Sequence, residues 1–436
     1  MIFHNLINFI FKILVLFLRV IIFLISKIII FRFIVSQNSR IGGIARLIEI
    51  FKIEKKNARN SAKVIYLCFR EIPNCNIFFS NLVEKKLKKL HQNIYFFNSN
   101  KFSEYLFSSF NNKFSFGKIN CSTYLDVIPS PYSVEKHESH KYDEAYKYTN
   151  FLFDYDFVKK PLYNLNTYEV GAENKFLHNI ISEKKKWICI HNRDSKFLKN
   201  LSTHKNFRNI DFNYHNYRDS DVNKLISATK LLVDKNFYVF RMGKIQSKKM
   251  DFKHKNFIDY AFTDEKSDFN DIFLLSNCEA YMGSDAGLGD IPLLSGKPRF
   301  LINYSLTTLH PFHNGGCEMS RKNHYSFIFK HLYDEKLQKK LTLKQIINRK
   351  LLCVANGNEF KKAGVLPIEN SEEEILDLTL EMTNYLETKN INAQEDFENQ
   401  KRFWDIYYAN TSYKRYEDIP ARICSKFLSK NLYILE

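Results

Sequence analysis

The stretch "YMGSDAGLGDIPLLSGKPRFLIN", residues 281–303, holds four of the chain's 13 glycines. It opens on an apolar segment, "AYM" (280–282), crowds small residues into "GSDAGLGD" (283–290), and ends on a second apolar segment, "PRFLIN" (298–303). Between them, Pro292 suits the first turn of a helix, where its missing N–H costs little. Gly296 and Pro298 stop that helix before the next strand. The reading is strand, turn, short helix, strand, and a repeat of that unit on short connections implies a parallel sheet covered on both faces. Gly283, Ala286, Gly287 and Gly289 leave main-chain N–H groups open to an anion at the helix start. Ser284 and Asp285 can cap that helix or hold a ribose or sugar hydroxyl. The spacing matches neither GxGxxG nor GxxxxGK[ST], which excludes the dinucleotide and Walker readings.

The same alternation extends in both directions. "AKVIYLCF" (62–69) and "NIYFF" (93–97) read as strands around the helical spacing of "FFSNLVEKKLKKL" (78–90). "WICI" (187–190) is a strand, "DVNKLISATKLLVDK" (221–235) a helix that Asp219 or Ser220 can cap, "YVFRM" (238–242) a strand, "FIDYA" (257–261) short and extended, and "FNDIFLLSNC" (269–278) a helix. "SEEEILDLTLEMTNYLE" (371–387) is a long helix with Ser371 and Glu374 spaced as a capping box. Residues 101–177 are aromatic and carry no readable period.

In open α/β sheets, ligands sit outside the carboxyl ends of the strands. Two motifs fall at such ends: "GSDAGLGD" and "HNRDS" (191–195), which directly follows "WICI". Arg193 offers a planar, permanently charged fork suited to a diphosphate. His191 and Asp194 are candidate hydrogen-bonding or acid/base groups, and Lys244, after "YVFRMG", is placed to reach a phosphate. His215, Arg218 and the "HPFHNGG" loop (310–316) are further cleft candidates. "DYD" (154–156) and "DSD" (219–221) have the spacing of a metal-binding DxD, but such triplets arise by chance in a chain of this composition, so no metal is expected.

The first 36 residues are apolar except for one narrow stripe that includes Asn5, Asn8, Lys12, Arg19 and Lys27. A thin basic stripe on an apolar cylinder describes a helix lying in a membrane surface, its ammonium groups reaching anionic headgroups. Charges interrupt every run before the roughly 18 residues needed to span. Lys and Arg exceed Asp and Glu by 65 to 47, a net charge of +18. The excess is spread along the chain, and no nucleic-acid-binding signature accompanies it, so no nucleic-acid partner is expected. The eight cysteines are scattered without a CxxC pair, which argues against a zinc site or a disulfide framework.

"CIHNRDSKFLKN", "YHNYRDSDVNKLISATKLLVDKNFYVFRMGK" and "YMGSDAGLGDIPLLSGKPRFLIN" resemble a family of bacterial glycosyltransferases of surface-polysaccharide clusters, and so do "EEEILDLTLEM" and "RICSKFLSKNLYIL". More distantly, the strand-end His-x-Arg followed by a Gly/Ser-rich turn is similar to fucosyltransferase-like enzymes of the GT-B fold. That resemblance implies an α/β chain with two Rossmann-like domains facing a cleft. Residues 1–36 would form the membrane-associating helix, 37–177 the acceptor domain, 178–370 the nucleotide-sugar domain, and 371–436 helices packing back across them. It further implies sugar transfer from a nucleotide-sugar to a cell-surface glycan or lipid-linked acceptor on the cytoplasmic side of the inner membrane, with no cofactor. The implied donor site is His191, Arg193, Lys244, Gly283, Ser284, Ala286 and Gly287, with Asp194 and Asp285 as candidate bases. In "RIGGIAR" (40–46), Gly43 stands where the family pattern has a histidine. The alternatives are another group transferase of the same architecture, such as a pyruvyl transferase, and a non-catalytic membrane-bound scaffold.

Overall fold

The computed structural model describes residues 30–36, 38–45, 47, 64–98, 120–123, 161–162, 165, 169–208, 210–284, 286–306, 325–354, 356–390, 396–410 and 422–436, with Ile10, Ile13, Leu14, Phe17 and Ile21. The chain divides into two compact units, Met1–Pro129 and Ser130–Glu436.

The first unit carries four parallel strands, β1 (Ile30–Ser36), β2 (Val64–Arg70), β3 (Ile94–Asn98) and β4 (Asn120–Thr123), in the order β3-β2-β1-β4. Helix α1 (Ile77–Leu90) links β2 to β3. Its Phe79, Val83 and Leu87 recur at helical spacing and are fully buried. Asn76 caps it by accepting from the Phe79 N–H at 2.7 Å, and Lys88 and Lys89 face the negative end of its dipole. The expectation of one helix over 1–36 is corrected here: Ile30–Ser36 is an inner strand, hydrogen-bonded between β2 and β4. "IFRFIVS" is a nearly unbroken run of β-branched and aromatic residues, and an inner parallel strand needs no period-2 alternation, so periodicity alone cannot separate it from a helix. Upstream, Ile10, Ile13, Leu14, Phe17 and Ile21 are helical and exposed. Among the described residues, no helix is long and apolar enough to cross a membrane.

The second unit begins with α2 (Lys175–Ser182), β5 (Trp187–His191), α3 (Lys196–Leu201), α4 (Ile226–Asp234), β6 (Tyr238–Arg241), β7 (Phe257–Ile258), α5 (Asp268–Asn277), β8 (Ala280–Gly283), α6 (Asp290–Leu294) and β9 (Arg299–Tyr304). It continues through β10 (Tyr325–Phe329), β11 (His331–Asp334), β12 (Lys339–Lys340), α7 (Leu343–Asn348), α8 (Gly357–Lys362), β13 (Val365–Ile368), α9 (Glu372–Thr388), α10 (Phe397–Ala409), β14 (Arg422–Ile423) and α11 (Ser425–Lys430). Seven strands make one parallel sheet in the order β14-β10-β9-β8-β5-β6-β7, and β12-β11-β13 form a small antiparallel one. From β5 the chain runs outward through β6 and β7, then returns to lay β8 on the other side of β5. The boundary between β5 and β8 is therefore a topological switch point, where the connections on either side diverge and leave a crevice at the strand ends.

Tyr281, Met282, Phe300, Leu301 and Ile302 are essentially inaccessible, as the near-continuous apolar reading of β8 and β9 requires. Helix α9 packs on α4 and on β9 and β10. Its Ser371–Glu374 capping box forms as expected, Ser371 Oγ accepting from the Glu374 N–H and Glu374 accepting from the Ser371 N–H. Helix α4 differs from its expected start. A 3₁₀ turn over Val222–Leu225 precedes it, and the cap is Asp221, which accepts from the Asn223 N–H at 3.1 Å. Asp219 is drawn away to Arg193.

Glu374 also holds the C-terminal segment. It accepts from His331 Nε2 at 2.8 Å and Asn431 Nδ2 at 3.1 Å, while His331 Nδ1 contacts Tyr433 Oη at 2.6 Å. Burial alone would raise this carboxyl, but the bonds from His331, the Ser371 N–H and Asn431 outweigh it and hold it at about 2, against an ordinary 4.5. A depressed carboxylate stabilises the fold above its unfolded value and loses that contribution as pH falls from about 4.5 to about 2. At about 1.4 kcal/mol per pH unit this is at most about 3.5 kcal/mol, and solvent screening of the partly exposed carboxylate reduces it. Glu374→Gln should therefore destabilise the protein at pH 7 and flatten the acid limb of a stability–pH profile measured by urea unfolding. An unchanged acid limb would contradict this.

Candidate functional site

The site is built at the carboxyl ends of β5 and β8. The two strands are in register with His191 opposite Gly283, so the "HNRDS" and "GSDAGLGD" segments leave the sheet side by side. The Ser284 N–H donates to the His191 carbonyl at 3.0 Å, and the Arg193 N–H donates to Ser284 Oγ at 3.2 Å. A third segment joins them. The Ser220 N–H donates to the Arg193 carbonyl at 3.0 Å, and Ser220 Oγ lies 3.2 Å from Ser284 Oγ. Ser284 is 1% exposed, so its hydroxyl fastens the crossing of these loops and does not face a ligand.

The glycines divide the work of this turn. A Cβ on Gly283 would lie 2.5 Å from Tyr281 Oη and 2.9 Å from the His191 carbonyl oxygen. The space expected to stay open for a ligand is filled at this position by the Tyr281 hydroxyl of the same strand and by the main chain of neighbouring β5. Gly289 approaches Tyr281 Cε1 in the same way, at 3.2 Å, and Gly296 adopts φ +72° at the end of α6, a conformation that favours glycine. Ala286 and Gly287 enter a 3₁₀ turn over Gly287–Gly289 that leads into α6. With Leu288 they are the half-buried part of the turn. Asp285 lies outside the described residues, as do the "HPFHNGG" loop and Asp154–Asp156. Gly283→Ala should force β5 and β8 apart at the site and cost about 1–3 kcal/mol, read as a lowered urea midpoint. A variant as stable as the parent would contradict this packing.

Arg193 is 8% exposed. Its Nη1 donates to the His215 carbonyl at 3.0 Å and to the Asp219 carboxylate. Burial pushes the Asp219 carboxyl up to about 6, overriding the opposing pull of Arg193, Lys330 and Arg218. His191 is buried, and its Nδ1–H donates to the Met242 carbonyl at 3.0 Å. Burial pushes the imidazole down to about 4, with Arg241 and Arg193 adding to the effect and the Met242 bond and Asp194 opposing it. The ring is therefore neutral at pH 7. Asp194 accepts from the Lys196 N–H at 2.9 Å and from the N–H and Oγ of Ser247, both at 2.8 Å, so it ties the loop after β6 to the loop after β5. Lys244 pairs with Asp268 at 3.2 Å, at the start of α5. In the "DSD" triplet, Asp219 faces Arg193 and Asp221 caps the following turn.

Two charged residues that the sequence reading passed over complete this corner. Arg241, the last residue of β6, is fully buried; its Nε donates to Asp259 Oδ1 at 2.7 Å, Nη1 to Asn192 Oδ1 at 3.0 Å and Nη2 to the Lys248 carbonyl at 2.8 Å. It thereby fixes Asn192, the residue before Arg193. Lys330 follows β10 and donates to the Asp219 carbonyl. Both sit at strand ends of the same sheet, and that position was the available signal. For Lys330 it required β10, which lies beyond the last strand read from the sequence.

No family model and no curated protein sequence matches the chain. Solved structures that align with the chain include a glycosyl transferase family 9 protein from Veillonella parvula, at 11% identity over 76% of this chain and 95% of that one, with a TM-score of 0.37. The E. coli heptosyltransferase WaaC, solved with ADP, aligns at 9% identity over 75% of this chain and 99% of its own, with a TM-score of 0.33. The iron-containing dodecameric glycosyltransferase TibC of enterotoxigenic E. coli aligns at 9% identity with a TM-score of 0.31; the match covers 62% of this chain and 59% of TibC.

Proposed function

We propose that the chain is a glycosyltransferase that takes a sugar from a nucleotide-sugar, with the donor held by the second unit and a glycan or lipid-linked acceptor received by the first. One observation supports this reading above the others: Arg193 and the small-residue turn after Gly283 meet at the carboxyl ends of β5 and β8, on either side of a topological switch point. In this reading the Arg193 guanidinium and the main-chain amides of Ala286 and Gly287 stabilise the departing diphosphate, the role a metal plays in other transferases. Asp194, which already accepts three hydrogen bonds, acts as a positioning residue, and Asp285 is the remaining candidate base. His191, neutral and bonded to Met242, holds the strand end. A thermal-shift screen with UDP, GDP, CMP and ADP sugars tests the proposal, since a ligand that binds only the folded state raises the melting point. One nucleotide class should stand out; no shift from any of them would contradict the reading.

We also propose that the protein works at the cytoplasmic surface of the inner membrane. The apolar side chains of Ile10, Ile13, Leu14, Phe17 and Ile21 are exposed, and the surrounding sequence is apolar with a thin basic stripe, the composition of a helix lying in a membrane surface. Phe17→Asp should reduce flotation of the full chain with anionic vesicles several-fold, and undiminished flotation would contradict it.

A further inference from the structure

Lys330 is 5% exposed, and a lysine is seldom buried to that degree unless something pairs with it. Its ammonium donates to the Asp219 carbonyl, while the Asp219 carboxylate receives Arg193. Two buried cations thus grip one residue from two sides, at the ends of β10 and β5. The groups around them are defined. Burial brings Lys330 down to about 8, with Arg193 and Lys224 adding to the effect and Glu369 and Asp219 opposing it. Asp219, at about 6, feels Arg193, Lys330 and Arg218 as favourable neighbours and Asp194 as an unfavourable one. Glu369 is itself engaged, accepting from the Asp221 N–H at 3.1 Å and pairing with Lys224 at 3.3 Å. Among the described residues, the Asp219 carboxylate is therefore the anion that directly compensates Arg193.

We propose that Arg193 and Lys330 together form a two-cation site for a diphosphate, and that the Asp219 carboxylate is its built-in stand-in, leaving Arg193 when the diphosphate enters. The inference rests on the donor-site reading above and adds a second binding cation and a displaceable internal anion. A diphosphate brings more charge and more acceptor oxygens than one carboxylate and can take both a guanidinium fork and an ammonium. A resident carboxylate avoids leaving buried cations uncompensated between binding events.

Isothermal titration of inorganic pyrophosphate into the full chain tests this at one pH and ionic strength, comparing wild type with Asp219→Asn, Lys330→Met and Arg193→Ala, each checked for folding by thermal melting. Asp219→Asn keeps the shape but removes the competing charge, and should bind about tenfold tighter; Lys330→Met should bind about tenfold weaker or worse. Binding by Asp219→Asn alone, with wild type silent, would be the strong form of the expected result. Asp219→Asn binding no tighter than wild type, or a folded Lys330→Met binding equally well, overturns the inference. If Lys330→Met does not fold, the Asp219 variant decides. Loss of binding in Arg193→Ala with the Asp219 and Lys330 variants matching wild type would sink this inference alone. Undiminished binding by Arg193→Ala, or no binding by any variant, would sink the donor-site reading with it.

Discussion

Arg241→Met is expected to lower the unfolding free energy by about 3–5 kcal/mol, the range for removing one partner of a buried ion pair. The guanidinium has no exposed surface, and Asp259, its partner, is only 16% exposed at the side chain. Asp259 also accepts from the Met250 N–H at 3.0 Å, and the ring of Phe262 lies 5.2 Å from the guanidinium. Methionine would fill much of the space but would strand the Asp259 carboxylate, the Asn192 amide oxygen and the Lys248 carbonyl. The double variant Arg241→Met/Asp259→Leu should recover part of the loss, because it removes the stranded charge as well. Urea unfolding of the three variants measures this. A single Arg241→Met variant within about 0.5 kcal/mol of wild type, the range of an ordinary surface change, would contradict the assignment of Arg241 as the pin of the site.

Arg193→Ala is expected to reduce transfer, and the slow hydrolysis of a bound nucleotide-sugar, by about 10²–10³-fold, the loss typical when one preorganised group is removed from a developing anion. Two contributions combine here. The guanidinium would no longer meet the diphosphate, and Asp219, deprived of its partner, would place an uncompensated carboxylate where the anion must bind. Arg193→Lys should recover little, because an ammonium cannot offer a diphosphate the planar two-nitrogen fork of a guanidinium. Steady-state hydrolysis with the nucleotide-sugar selected by thermal shift checks this. Wild-type rates in Arg193→Ala would remove Arg193 from the mechanism.

Much of the second unit was legible because its strands are short apolar runs set off by strong punctuation. Pro292, Gly296 and Pro298 bracket α6, and Ser371 with Glu374 marks the start of α9; both are local signals that the fold keeps. The convergence of "HNRDS" with "GSDAGLGD" was legible for the same reason, since both follow recognisable strands. Three features were not. Ile30–Ser36 reads as helix from sequence because an unbroken apolar run carries no period. Gly283 reads as bare for a ligand, whereas the groups that require glycine there are the Tyr281 hydroxyl, two residues back on the same strand, and the His191 carbonyl, which becomes a neighbour only once β5 and β8 pair. Arg241 and Lys330 looked like two more basic residues in a basic chain. Their burial depends on Asp259 and Asp219, partners far enough along the chain that no local pattern announces them.

The most direct measurement is a crystal structure of the protein soaked with the nucleotide diphosphate that gives the largest thermal shift. The account predicts diphosphate density at the ends of β5 and β8, within hydrogen-bonding distance of the Arg193 guanidinium and the Ala286–Gly287 amides. A nucleotide bound with its phosphates elsewhere, and Arg193 still closed on Asp219, would contradict it.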